Sequence, residues 1–318
     1  MKKWLLVLLV IILGVVIASF AFIPSVIKLS RIEKVAANSE EVYRYFTDAQ
    51  LRQKWLASSN AAPAAASITP ACQAFVFKGD SFYVTAVHVP SVTVMIGNEK
   101  EKTSSKVLMI PAGNDSTIII WEAEINAGSN PVGRIANYVK ASAIKEHVTE
   151  ILNVYSRFIS VPQNVYNFPI VESKVVDTLL LTTRKIFPSN PSPAQIFAIA
   201  DAQKKYAADN GAALTNAPML NMTILDSSHF QCTVAQPVSK ALPVSGDIYM
   251  SRMIPGKILV QTVNGGPETI KYAFSRLSDY FRQHRHVSPA LPFESMITNR
   301  STETDTSKWM TKIFYPIF

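Results

Sequence analysis

The sequence predicts an α+β protein with two antiparallel-sheet domains, each covered by helices, behind an apolar N-terminal helix. Three observations carry that expectation. Residues 4–27 hold no charge. A succession of short strand patterns then ends in one helical pattern of nearly 30 residues. Beyond residue 163 the chain aligns with itself when shifted by 74 positions.

The uncharged run "WLLVLLVIILGVVIASFAFIPSVI" exceeds the ~20 residues a helix needs to cross a bilayer core. Residues 1–28 therefore read as one transmembrane anchor. The competing reading is a cleaved signal peptide with its apolar core over Leu5–Ala18 and Ser19-Phe20-Ala21 as the cleavage site. Lys2 and Lys3 precede the run, and Lys28, Arg31 and Lys34 follow it, so the positive-inside rule leans only slightly to an exported body. The expectation is a single-pass membrane protein with its body on the extracytoplasmic side.

The net charge of +8 is less telling than it looks. Residues 1–34 hold five basic side chains against one acidic, and the remainder holds 26 against 22. No basic stripe is present, which speaks against nucleic acid as a partner. An apolar fraction of 48% with 17% charged residues excludes a disordered chain. Cys72 and Cys232 are the only cysteines, and no Cys/His spacing suits a metal. They read as two lone buried thiols, and no metal or cofactor is expected.

From residue 29, "RIEKVAANSEEVYRYFTDAQLRQKWL" reads as a strand, a helix and a second short helix ending near Trp55. Asn38 is a good N-cap, and Glu41 three residues on completes a capping box. "NAAPAAASITPACQ" is a loop. Strands are expected over 75–77, 82–87, 92–96, 106–110 and 117–125, punctuated by Gly, Pro and Asn. Val132, Ile135, Val139, Ile144, Val148, Ile151, Leu152, Tyr155 and Ile159 then recur at helical spacing, so this helix lies on a sheet. Trp55 reads as a core anchor. Glu122 and Glu124 read as a solvated strand face, and His147 as a surface residue.

"VPQNVYNFP" (161–169) has two prolines and no helical pattern, which suits a linker. The shift of 74 then matches Pro193 with Pro267, Ile196 with Ile270, Tyr206 with Tyr280, Pro218 with Pro292 and Met222 with Met296. Both copies open a helix at the proline, which suits a first helical turn. Each copy runs strand, helix, strand, strand. Two such units pair edge to edge about a pseudo-two-fold axis and leave a groove between the halves.

One asymmetry stands out. Glu294 in "LPFESMITNR" matches Leu220, so the fold does not require a carboxylate there. On this ground Glu294→Leu is expected to leave stability unchanged or raised. His284 and His286 read as cationic groups at a helix end that point apart, and Gly265-Gly266-Pro267 as a turn into a helix. Trp309 and Tyr315 share a strand face and suit either a pocket wall or core packing.

The opening "VAANSEEVYRYFTDAQLRQKWL" resembles the START-like (polyketide cyclase, or SRPBCC-type) superfamily over about residues 29–160. That resemblance implies a helix-grip fold, with a curved sheet around the last helix and an apolar cavity. "PGKILVQTVNGGPETIKYAFSRLSDYFRQHRHVSPALPFESMITNRSTETDTSKWMTKIFYPI" resembles the GyrI-like, or AraC-type effector-binding, domain of bacterial proteins. The resemblance covers 163–318 and includes the duplication. It implies that Glu294 lines a pocket for lipophilic, often cationic, ligands. Met296 stands where that family has a tyrosine, and Glu268 where an aromatic is usual.

Together these readings predict a membrane-anchored binding protein for hydrophobic or cationic small molecules. Its ligand would sit in the central groove among Glu294, Met296, Trp309 and Tyr315. No catalytic set is recognised. The alternatives are a GyrI-like hydrolase using Glu294 as acid–base group, and an envelope interaction module without a ligand.

Overall fold

A computed structural model describes residues 2–58, 73–97, 102–226 and 228–318. The chain divides into two compact units, Met1–Val161 and Pro162–Phe318. Both are α+β with antiparallel sheets.

The first unit begins with α1 (Lys2–Phe22) and β1 (Val26–Val35), followed by α2 (Ser39–Thr47) and α3 (Ala49–Ala57). Strands β2 (Gln73–Phe77), β3 (Asp80–His88), β4 (Ser91–Gly97), β5 (Lys102–Pro111) and β6 (Thr117–Asn126) precede the long α4 (Pro131–Ile159). The sheet order is β1-β6-β5-β4-β3-β2, so the first strand closes against the last. The Asn38 side chain caps α2 through the Glu40 N–H at 2.9 Å, and the Glu41 carboxylate accepts from Arg44. Cys72 and most of the alanine-rich loop lie outside the described residues.

Between sheet and helices, Phe46, Trp55, Phe75, Phe82, Trp121 and Tyr155 meet ring to ring, with centroids 5.0–6.4 Å apart. Large aromatic side chains thus form much of the described interior of this unit. Glu122 and Glu124 lie on the exposed face of β6, as read from the sequence. His147 is placed differently: its Nδ1 lies 2.7 Å from Asp80 on β3, which half-buries the ring.

The N-terminal expectation is corrected. Among the described residues no helix is long and apolar enough to cross a membrane, so the single-pass placement, the extracytoplasmic body and the membrane partner inferred from residues 1–28 are withdrawn. The uncharged run is divided between two elements. Its helix stops at Phe22, and Val26 and Ile27 enter β1, where Ile27 pairs with Ile125. The end of α1 also has protein neighbours. Ser19 is buried, the Arg134 guanidinium of α4 stacks over the Phe20 ring, and it donates to the Ile23 carbonyl.

The second unit contains α5 (Pro162–Tyr166), β7 (Ile170–Lys174), β8 (Leu179–Phe187), α6 (Pro193–Asp209), β9 (Met219–Ile224) and β10 (Phe230–Pro237). The second copy supplies β11 (Tyr249–Arg252), β12 (Lys257–Asn264), α7 (Pro267–Gln283), β13 (Phe293–Met296) and β14 (Met310–Ile317). One sheet joins them in the order β11-β8-β10-β9-β13-β14-β12-β7. The halves meet at β9 and β13, where Glu294 pairs with Leu220. These two residues are repeat equivalents, so the pseudo-two-fold axis passes through this pair.

Two features escaped the sequence reading. Each copy donates its first strand to the other: β7 adds to β12, and β11 adds to β8. The stretch 246–254, which contains β11, already reads as a strand, but the short β7 and the exchange of edges between the copies leave little trace in the sequence. The 161–169 stretch is also more ordered than a linker. Its α5 buries Val165 and Tyr166 beside α7, and the Tyr166 hydroxyl donates to Gln283 at 2.7 Å.

Candidate functional site

Both α6 and α7 start with proline and pack on the same face of the sheet. Beside α6 a groove of about 440 Å³ lies against β8, among Thr183, Lys185, Gln195 and Asp247, but the side of α6 toward β9 is filled. Ile196, Phe197, Ile199, Ala200, Leu220, Cys232, Val234 and Met296 form one buried cluster. Burial pushes the Cys232 thiol up to about 11.

The α7 side differs at matched positions. Phe197 becomes Lys271 and Leu220 becomes Glu294. A groove of about 380 Å³ opens here, with Ile270, Lys271 and Phe274 of α7 on one wall. Leu220 and Met222 of β9 face them, and Glu294 and Arg300 complete it. Its volume is within the range of about 300–1,000 Å³ common to small-molecule sites. Asn221 ties the β9 wall to the β13 side by donating to the Pro292 carbonyl at 2.7 Å.

The Glu294 carboxylate does not stand alone. Arg300 Nη2 donates to its Oε2 at 2.6 Å and to Thr311 Oγ1 at 2.9 Å. The two side chains of the ion pair are only 8% and 16% exposed, Arg300 first. The guanidinium also lies over the Trp309 ring, 5.1 Å from its centroid, a favourable cation–π arrangement. Arg300 Nε is buried with no hydrogen-bond partner.

Arg300 comes from the connection between β13 and β14. Asn299 folds that loop by accepting from Ser301 N–H at 2.9 Å, and Trp309 Nε1 donates back to the Glu303 carbonyl at 3.0 Å. Bonds from the Ser307 side chain and N–H hold the Asp305 carboxyl below the usual range.

Of the residues read from the sequence, Glu294 lines the groove. Met296 lies in the packed cluster under α6. Trp309 sits in the α7 core beneath Arg300, and Tyr315 packs against that core with its ring 4.2 Å from Phe281. Neither faces the groove directly. His284 stacks on Tyr280 at 3.9 Å and donates to its carbonyl, and the ring of His286 is nearly parallel to it, so the two do not point apart. Among the described residues no His, Cys, Asp and Glu group suits a metal ion.

Sequence reasoning missed Lys271 and Arg300. The first was within reach, because the 74-residue shift already sets it against Phe197. Arg300 left no such signal: its approach to Glu294 depends on how a long loop folds.

No protein-family profile matches the sequence, and no curated protein matches it. Among solved structures, the EcmrR C-terminal domain is similar over 48% of this chain and 98% of its own, at 16% identity and a TM-score of 0.41. EcmrR in a complex with DNA is similar over 57% and 71%, at 15% identity and 0.43. SAV2435 bound to tetraphenylphosphonium is similar over 47% and 93%, at 14% identity and 0.30. Likeness at this level assigns the chain neither a fold nor a ligand.

Proposed function

We propose that this chain binds an apolar small molecule in the groove beside α7, with the Glu294–Arg300 ion pair at the ligand's polar end. The observation that carries the reading is the asymmetry of the duplicated unit. At the matched position beside the β9–β13 seam, the same backbone plan is plugged by Phe197 in the α6 half and left open in the α7 half, where the opening also contains a buried ion pair. A buried pair is seldom a gain in stability over apolar side chains of similar volume. Its retention beside an open apolar wall suits recognition. Trp309 supports the site through Arg300, whose guanidinium it backs.

This reading fits the effector-binding resemblance of 163–318. It puts the ligand in the second unit; among the described residues, rings pack against one another in the interior of the first. A hydrolytic role for Glu294 has less support, because Arg300 already holds a carboxylate oxygen and position 296 brings no hydroxyl.

The test is binding of an uncharged apolar fluorophore, phenylnaphthylamine, by the full chain and by Ile270→Trp, which fills the groove from α7. A loss of affinity of about tenfold or more is expected, since one displaced contact of ~1.4 kcal/mol gives that factor. Unchanged affinity in a folded variant overturns the assignment to this groove.

A further inference from the structure

Resting on that binding site, we infer that the groove selects apolar ligands carrying an anionic group, such as a carboxylate or sulfonate. Glu294 taken alone suggests the opposite sign, so the charges need to be taken together.

Two cations and one carboxylate line the groove: Lys271, Arg300 and Glu294. Glu294 is already engaged by Arg300 at 2.6 Å. A cationic ligand would have to share that carboxylate with a guanidinium held in place by Thr311 and Trp309. It would also approach Lys271, which is exposed and has no ion-pair partner among the described residues.

An anionic group meets neither obstacle. Both hydrogen bonds of Arg300 are made by Nη2, which leaves Nη1 of this groove-lining guanidinium as a donor with unused capacity. Lys271 adds a mobile cation at the rim. Pro267 also lines the groove, so the positive end of the α7 dipole lies at its edge. Glu268, in the same turn, is exposed and is not part of the lining. The apolar wall of Leu220, Met222, Ile270 and Phe274 then takes the body of the ligand.

A matched pair of probes isolates the charge: anilinonaphthalene sulfonate and its uncharged parent phenylnaphthylamine. The full chain is expected to bind the sulfonate about tenfold more tightly than the parent. Lys271→Gln should reduce that preference about threefold, a modest change because exposed charges are screened. Glu294→Gln keeps the side-chain volume and removes the competing carboxylate from Arg300. It should raise the preference for the sulfonate over the uncharged probe severalfold.

Equal binding of the two probes, an unchanged or lower preference in Glu294→Gln, or stronger displacement by tetraphenylphosphonium than by the sulfonate overturns the anionic assignment while the groove itself stands. Failure of the groove is distinct. It appears as uncharged-probe binding that Ile270→Trp does not alter.

Discussion

The α6 half and the α7 half of the second unit start from equivalent sequences and reach different interiors. Under α6, Phe197 reaches over Leu220 and Met296 and closes the space. Under α7 the same positions bring Lys271 and Glu294, Phe274 replaces Ala200, and Arg300 arrives from a longer loop. The comparison separates what the backbone plan needs from what it permits. Helix-on-sheet packing is satisfied in both halves, yet at the matched position only the α7 half is open and charged; the groove of the α6 half lies elsewhere along its helix, among Thr183, Lys185, Gln195 and Asp247. The residues that differ there are the ones whose presence the fold does not explain.

The largest expected effect breaks the closed half. Phe197→Ala removes a buried aromatic ring and should cost about 3–5 kcal/mol in denaturant unfolding, as large-to-small core changes do. If the loss is under ~1 kcal/mol, the α6 half is not the rigid member of the pair. The converse change, Lys271→Phe, fills the open half with the side chain used by its twin. It should leave stability within about 1 kcal/mol and reduce phenylnaphthylamine binding.

A middle-sized effect concerns the ion pair and revises the expectation drawn from Leu220. Glu294→Leu strands Arg300, whose burial then lacks its carboxylate, and should cost roughly 1–3 kcal/mol. Adding Arg300→Leu should recover most of that loss, because both charges are then gone. A single variant as stable as the parent would mean that Thr311 and Trp309 suffice to hold Arg300.

The smallest effect reads the closed half without altering it. Cys232 lies under α6, and burial raises its thiol to about 11 from an ordinary 9.0. At pH 8 it should resist maleimide in the native protein and react after unfolding. Because the folded value is the higher one, the stability linked to this thiol is whole below about pH 9 and lost as pH rises toward about 11. Rapid native labelling of Cys232 would show that the α6 half opens readily.

Much of this architecture was legible in the sequence because its signals are local. The proline starts of α6 and α7, the alternating strands of the first unit and the periodic apolar face of α4 depend on neighbours a few residues apart. The duplication was legible too, and it pointed to Glu294 by contrast with Leu220. The sequence by itself therefore determined most of the element order, the repeat and the position where the two copies diverge.

Only the tertiary structure decided the rest, since each remaining feature depends on contacts between distant segments. The uncharged N-terminal run looked like one helix, but pairing of Ile27 with Ile125 draws its end into a strand. The edge strands β7 and β11 exist because each is added to the other copy's sheet. The rings that pack in the interior of the first unit come from α2, α3, α4 and three strands, and their meeting cannot be read from spacing. The sign of the groove was hidden for the same reason. A carboxylate's effect on a ligand depends on its counter-charge, and Arg300 reaches Glu294 only once the loop after β13 has folded over Trp309.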